Sequence, residues 1–282
     1  MCSSRSPKKQ PTASGVGSEP VRLKYEMPSS GEIYFHLYEG SNPGQKPPLV
    51  LIHGAGGDHL YWPAEIRRLP GSRVYALDLP GHGKSGGRGR QSIEAYAAAV
   101  QDWLIGIGIH RAVIAGHSMG SAIALSLALE HPESAAGLVL LGAGARLRVS
   151  PEIMSFAESP TTYLSAVKLV VDWSFHAQTP ARLKVLAGKR MAEARASVLY
   201  GDFRACDEFD VSSLLTSISQ PTLVLTGEDD RMTPLRYAQY LAEQIPGAQM
   251  TVIPEAGHML QLEKPRQVAD AMREFLAGID YL

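Results

Sequence analysis

The chain has 282 residues, of which 45% are hydrophobic and 20% charged, and its formal net charge is −1. This length suffices for one large buried core, and a charge near zero provides no field for binding nucleic acid. The two cysteines, Cys2 and Cys206, form neither a disulfide framework nor a metal-binding Cys-x-x-Cys pattern. We therefore expect no metal and no cofactor.

The first 20 residues are rich in Ser, Pro, Gly and Lys and lack the apolar stretch of a signal peptide. We predict that residues 1–20 form a disordered tail. No later apolar run approaches the roughly eighteen residues that are needed to cross a bilayer. The sequence therefore predicts a soluble, cytoplasmic protein with no membrane partner.

Segments of strand and helix character alternate along most of the chain. Residues 21–26 and 32–38, joined by a Pro-Ser-Ser-Gly turn, predict a hairpin that opens the sheet. Further strands are predicted at 49–52, 73–77, 112–115, 138–141, 223–226 and 250–253, and helices at 93–105, from 118 onward, at 235–244 and at 266–277. This alternation predicts βαβ crossovers and a mostly parallel sheet of the α/β class.

Glycine-containing loops follow two of the early strands. Residues 53–59 read His-Gly-Ala-Gly-Gly-Asp-His, and residues 78–85 read Asp-Leu-Pro-Gly-His-Gly-Lys-Ser. Neither loop has the glycine spacing of a phosphate-binding motif, so we do not expect nucleotide binding. The second loop is typical of a tight turn, and we interpret His53 as a residue that hydrogen-bonds the first loop.

The most informative pattern is Gly116-His117-Ser118-Met119-Gly120, which stands between an apolar strand and an apolar helix. In a nucleophile elbow the serine occupies a strained strand-to-helix turn, and glycines two residues to either side let the backbone approach closely. The strand before this pattern and the helix after it predict Ser118 as a catalytic nucleophile.

A serine nucleophile of this kind requires an acid and a histidine later in the chain, in that order. His258 lies on the loop after the last predicted strand, where it can reach back over the sheet, and we predict it as the general base. The acid should follow the preceding strand, where Glu228, Asp229 and Asp230 are adjacent. Spacing alone leaves Asp229 and Asp230 open, because neighbouring loop residues can point either way.

The alternation of strand and helix is interrupted in the third quarter of the chain. There, residues 162–175 and 181–200 have helical periodicity. We predict a helical lid at residues 146–210 that lies over the elbow. Among its large apolar side chains, Trp173 and Phe203 are candidates for substrate contact, although each such side chain is more often part of a core.

Taken together, these motifs resemble the α/β-hydrolase superfamily, in particular its compact esterase-like members with a helical lid. The resemblance implies a mostly parallel sheet flanked by helices, with the cap at 146–210 inserted after the sixth strand. The core would then comprise residues 21–145 and 211–282. The family pattern Gly-x-x-Asp-x-x-x-Pro matches residues 227–234, which assigns the acid to Asp230.

The same resemblance implies the groups that stabilise a tetrahedral intermediate. In this family the main-chain N–H groups of the residue after His-Gly and of the residue after the nucleophile form the oxyanion hole. Those residues are Ala55 and Met119 here. The resemblance gives the loop at 78–85 a scaffold role.

The predicted function is that of a serine hydrolase, namely a carboxylesterase that hydrolyses short- to medium-chain acyl esters through an acyl-enzyme intermediate. Its partner would be a small-molecule ester. The same residues could serve a lactonase, a thioesterase, a carbon–carbon bond hydrolase or a monoacylglycerol lipase, whose His-Gly loop resembles residues 53–59. A ligand-binding receptor that retains the hydrolase fold is the alternative from another class. The sequence specifies neither the substrate nor the oligomeric state.

Overall fold

The computed structural model describes residue 1, residues 32–39 and residues 41–279. Apart from Met1, the predicted tail at 1–20 lies outside the described residues. The first strand and the turn of the predicted hairpin also lie outside them.

Within the described part of the chain, a seven-stranded sheet forms the centre of the fold. Its strands are β1 (Tyr34–Glu39), β2 (Leu49–Ile52), β3 (Arg73–Asp78), β4 (Ala112–His117), β5 (Ala135–Leu141), β6 (Thr222–Gly227) and β7 (Gln249–Ile253). They lie in the order β1-β3-β2-β4-β5-β6-β7, and neighbours pair in parallel except for β1 with β3. The mostly parallel sheet predicted from the sequence is confirmed.

Helices connect most of these strands, and two more follow the last one. They are α1 (Ala64–Arg67), α2 (Ile93–Gly106), α3 (Met119–Glu130), α4 (Pro151–Glu158), α5 (Tyr163–Ser174), α6 (Ala181–Ala192), α7 (Ala196–Glu208), α8 (Leu235–Gln244), α9 (Leu260–Glu263) and α10 (Pro265–Ala277). Within the described ranges, none of them is both long enough and apolar enough to span a bilayer.

Both faces of the central strands β2, β4, β5 and β6 are buried, which explains why these strands are largely apolar. Side chains alternate between the two faces of a strand. Val50 and Ile52 of β2 accordingly belong to the buried cluster that contains residues of α2, α3 and α8, whereas Leu49 and Leu51 belong to the cluster that contains residues of α1 and α10. The strand ends are thereby held between two layers of helices, and the loops at their carboxyl ends are positioned by a rigid core.

Helices α4 to α7 all lie between β5 and β6, in the segment predicted as an insertion. Arg146 and Asp210 form an antiparallel bridge where the chain leaves and rejoins the core. Residues of these helices share an apolar cluster of their own, with Ile153, Val167 and Leu199 among its buried members.

The prediction of one helical segment at 181–200 is wrong in detail, because the chain turns between α6 and α7. Arg195 has extended backbone angles, φ −63° and ψ 133°. Its guanidinium donates hydrogen bonds to the carbonyl groups of Gly81 and Gly87, which hold the turn against the core. Helix α4 was not predicted from the sequence, although Ser150 caps it and Pro151 is its first residue.

Candidate active site

Ser118 occupies the turn between β4 and α3 with φ 52° and ψ −117°, a backbone conformation that is strained for any residue with a side chain. The flanking glycines make the turn possible. A Cβ atom on Gly116 would collide with the carbonyl oxygen of Gly120, and one on Gly120 would collide with that of Ile52. The strand, the tight turn and the helix therefore have the geometry that the sequence pattern predicts.

His258 and Asp230 meet from the loops that follow β7 and β6. Nδ1 of His258 lies 2.9 Å from Oδ2 of Asp230, and both side chains are buried. Oδ1 of Asp230 accepts hydrogen bonds of 2.8 Å from the N–H groups of Met232 and Thr233, and Oδ2 accepts one of 2.8 Å from the Thr233 hydroxyl. Burial opposes ionisation of Asp230, but the charge and hydrogen bond of His258, aided by Thr233, lower the pKa of its carboxyl group.

The two neighbouring carboxylates contact groups other than the His258 ring. Oδ2 of Asp229, which is exposed, lies 3.4 Å from Nε2 of His176, at the end of α5. A carboxylate oxygen of Glu228 accepts a hydrogen bond from the N–H of Glu255. Of the three acidic residues after β6, the structure brings Asp230 into contact with His258.

The main chain around His258 is held on both sides. The imidazole Nε2–H of His117 donates a 2.9 Å hydrogen bond to the carbonyl oxygen of His258. Burial, and then the nearby charge of His258, lower the pKa of His117 to about 3, so its ring is neutral. On the other side, the N–H of Gly257 donates a 2.8 Å hydrogen bond to Oε2 of Glu263.

The loop after β2 is organised by His53, as its sequence interpretation expects. Nδ1–H of His53 donates a 2.8 Å hydrogen bond to the carbonyl oxygen of Gly54, and Nε2 accepts one of 3.1 Å from the N–H of Leu79. Burial is the main cause that lowers the pKa of His53 to about 4, so this ring is also neutral. Its two nitrogens are engaged with the backbone, which is the arrangement of a loop-bracing residue.

Two cavities adjoin Ser118. The larger has a volume of about 340 Å³ and the smaller about 50 Å³. Residues that line both are Ala55, Ser118, Phe203, Met232 and His258. Ser118 and His258 therefore open onto the same space.

The two residues of the insertion that were predicted to contact substrate lie at these cavities. Trp173 lines the larger cavity, and Phe203 lines both. Met119 directly follows Ser118 and begins α3, and its side chain is fully buried in the core. Met119 is not among the described lining residues of either cavity, so its predicted role concerns its main-chain N–H.

Several lining residues were missed by the sequence analysis. Arg148, Arg231 and Tyr237 line the larger cavity, and Tyr61 lines the smaller one. Arg231 directly follows Asp230, so adjacency in the sequence was an available signal. The others come from separate elements, and only the packing of those elements brings them to Ser118.

Comparisons with known proteins agree on one family. A model described as "Alpha/beta hydrolase family" matches residues 49–271. A pimeloyl-[acyl-carrier protein] methyl ester esterase of Aromatoleum aromaticum is 29% identical over 253 residues, which cover 83% of this chain and 99% of the relative. A 2-hydroxymuconate semialdehyde hydrolase of Pseudomonas putida is 31% identical over 266 residues, covering 85% and 90% respectively. The structure of a thermophilic esterase from Thermogutta terrifontis matches with a TM-score of 0.79 and 27% identity, over 88% of this chain and 94% of that one.

Proposed function

Because the chain belongs to the alpha/beta hydrolase family, we propose that it is a serine carboxylesterase that hydrolyses short- to medium-chain acyl esters. The observation that carries the proposal is that three side chains from separate parts of the chain come together beside one cavity. Ser118 stands on a strained elbow, and His258, which lines the same cavity, is hydrogen-bonded to a buried Asp230. This is the constellation of nucleophile, base and orienting acid by which serine hydrolases act.

In the acylation step, His258 accepts the hydroxyl proton of Ser118 while Oγ attacks the carbonyl carbon of the ester. Since Nδ1–H of His258 is directed to Asp230, its Nε2 is the nitrogen that is free to take this proton. Asp230 holds the ring and stabilises its positive charge. The N–H groups of Ala55 and Met119 donate hydrogen bonds to the oxyanion of the tetrahedral intermediate. When that intermediate collapses, the ester C–O bond breaks, and His258 returns the proton to the leaving alcohol.

Deacylation repeats the sequence with water as the nucleophile. His258 removes a proton from the water molecule as its oxygen attacks the acyl-enzyme carbonyl. The bond to Oγ then breaks, the carboxylic acid leaves, and Ser118 regains its proton from His258. One histidine thus serves as base and acid in both halves of the reaction.

The unequal volumes of the two cavities favour a substrate with one large and one small group on either side of the ester. We assign the acyl chain to the larger cavity and a small alkoxy group to the smaller one. Helices α4 to α7 act as a lid in this proposal, since they contribute Ile153, Trp173 and Phe203 to the wall of the larger cavity. A methyl ester esterase and a thermophilic esterase among the relatives favour an ester.

The experiment is ester turnover by the wild-type protein and by Ser118→Ala. We expect the substitution to lower kcat for p-nitrophenyl butyrate by roughly four to six orders of magnitude, because members of a catalytic triad act as a unit. Ser126→Ala, on the same helix, is the matched control and should keep the wild-type kcat. Turnover by Ser118→Ala within tenfold of wild type would contradict the serine mechanism.

A panel of p-nitrophenyl esters, lactones and thioesters then separates the hydrolytic alternatives by their kcat/KM. Tight ligand binding with negligible turnover of every compound would favour the receptor alternative.

A further inference from the structure

A buried carboxylate connects the insertion to the loop that follows β2. Asp202, on α7, is fully buried. Its Oδ2 accepts a 2.9 Å hydrogen bond from the N–H of Gly56 and lies 2.7 Å from Nε2 of His82. Its Oδ1 accepts a 2.6 Å hydrogen bond from the hydroxyl of Tyr96. Each oxygen therefore has partners, which a carboxylate withdrawn from water requires.

The ring of His82, which lies beside Asp202, has a hydrogen-bond acceptor at each of its nitrogens. Nδ1 of His82 lies 3.1 Å from the carbonyl oxygen of Pro80, while Nε2 faces the Asp202 carboxylate. Because both nitrogens face acceptors, both carry hydrogen. Burial opposes this charge, but the adjacent Asp202 raises the pKa of His82. The carboxylate is therefore neutralised by His82 and remains able to accept the Gly56 hydrogen bond.

Gly56 is the residue next to the oxyanion donor Ala55. The peptide group between them is planar, so a hydrogen bond that fixes the N–H of Gly56 also fixes the carbonyl group of Ala55. Gly56 has φ +61°, and a Cβ atom there would lie 2.7 Å from Cδ1 of Leu199 on α7. Helix α7 thus contacts the loop by packing as well as by the carboxylate.

We propose that Asp202 is a positioning residue for the oxyanion hole: by holding the Ala55–Gly56 peptide group it orients the N–H of Ala55 toward the oxyanion. The insertion then covers the active site and also positions one of the two oxyanion donors. This inference rests on the proposed function. Helical spacing offers a sequence signal for it, because Asp202 shares its helix face with the buried Val198, Leu199 and Cys206.

A misplaced oxyanion donor stabilises the transition state less well, while binding of the substrate changes little. The effect therefore appears as a lower kcat. We expect Asp202→Asn to lower kcat for p-nitrophenyl butyrate about ten- to hundredfold with KM within threefold of wild type, less than the roughly hundred- to thousandfold cost of removing a donor outright. Tyr96→Phe is the matched control, because it removes a hydrogen bond from the other oxygen of Asp202 and leaves the contact with Gly56. It should lower Tm and keep kcat within threefold of wild type.

A second readout reports on the oxyanion directly. A trifluoromethyl ketone forms a tetrahedral adduct with the serine. The corresponding methyl ketone binds at the same site but forms much less of this adduct. For Asp202→Asn we expect the inhibition constant of the trifluoromethyl ketone to rise in parallel with the loss in kcat, while that of the methyl ketone stays unchanged. A general loosening of the fold would weaken both.

A kcat for Asp202→Asn within threefold of wild type, or an equal kcat loss in Tyr96→Phe, would overturn the proposal. If Asp202→Asn does not fold, Asp202→Glu, which keeps the charge but displaces the carboxylate, is measured with the same readouts. Failure of the proposed function is a separate result, since wild type would then show no turnover that depends on Ser118. In that case the amide proton of Gly56 still tests the contact, because rapid exchange with solvent in the wild-type protein would contradict it.

Discussion

Gly142 lies against the imidazole of His258, at such a distance that a Cβ atom on Gly142 would be 2.9 Å from both Cε1 and Nδ1 of the ring. The same Cβ would be 3.5 Å from Oδ2 of Asp230. Gly142 directly follows β5, and its N–H donates a hydrogen bond to the carbonyl oxygen of Leu225 in β6. The end of the sheet therefore forms a wall that limits where the His258 ring can lie.

We expect Gly142→Ala to lower kcat at least about tenfold, because a displaced imidazole is poorly placed for proton transfer. The substitution also places a side chain at φ +53°, which costs roughly 1–2 kcal/mol of stability. Gly108→Ala separates the two effects, since Gly108 has φ +73° and no atom within 4 Å of its Cβ position. Steady-state kinetics and thermal unfolding of both variants provide the measurement. Equal kcat values for the two variants would mean that the contact with His258 has no catalytic effect.

The different contacts of Asp230 and Asp229 predict different effects on kcat when each residue is replaced by Asn. Asp230→Asn should lower kcat by around ten-thousandfold, because the amide no longer holds the imidazole tautomer. Asp229→Asn should change kcat little, since Asp229 is exposed and lies beside His176. Ester hydrolysis by the two purified variants tests this, and the reverse order would assign the acid to Asp229.

The limited volume of the larger cavity, about 340 Å³, predicts an optimum in acyl chain length. Each buried methylene contributes about 0.8 kcal/mol until the cavity is full, so kcat/KM should rise to roughly four to eight acyl carbons and then fall. Trp173→Ala and Phe203→Ala should move the optimum to longer chains. Phe156→Ala is the control, because Phe156 packs within the insertion but lines neither cavity. A series of p-nitrophenyl esters from acetate to palmitate measures the optimum, and a steady rise through palmitate would indicate an open groove.

The charge of the larger cavity predicts a preference for acyl chains that end in an anion. Among its described lining residues, Arg148 and Arg231 are charged and no carboxylate is present. We expect wild type to favour the monomethyl ester of adipic acid over methyl hexanoate, and Arg231→Gln to reduce that preference about two- to fivefold, the size of an exposed charge interaction. Arg266→Gln, on α10, should leave it unchanged. Rates from a pH-stat at low and high salt test this, and a preference that Arg231→Gln leaves unaltered would contradict it.

Two buried neutral histidines predict a loss of stability in mild acid. The pKa values of His117 and His53 are lowered from 6.5 to about 3 and about 4, mainly by burial. Below pH 6.5 the unfolded chain therefore binds protons that the folded chain does not, and the free energy of unfolding falls by about 1.4 kcal/mol per pH unit for each histidine. Above pH 6.5 this dependence disappears.

The substitution His117→Gln removes one of these two contributions. Urea unfolding of wild type and His117→Gln between pH 7 and pH 5 should show a shallower loss in the variant. Identical slopes would show that His117 is not the source.

Much of the core could be predicted from the sequence, because local chemistry leaves few alternatives there. The run at Leu49–Ile52 has apolar side chains on both faces of a strand, which only a covered, mostly parallel sheet can bury. The pattern around Ser118 requires Gly116 and Gly120, since any Cβ would collide with backbone. A loop position after β7 was sufficient to select His258 as a candidate.

Tertiary structure decided the features that depend on residues distant in sequence. Asp229 and Asp230 are equivalent by spacing, and the packing of the β6 and β7 loops determines which carboxylate meets His258. The break between α6 and α7 depends on hydrogen bonds from Arg195 to the carbonyl groups of Gly81 and Gly87, which lie more than a hundred residues away in the sequence. Asp202 meets Gly56 across 146 positions of sequence. Periodicity indicates which face of a helix is buried, but a hydrogen bond between separate elements exists only once those elements have packed together.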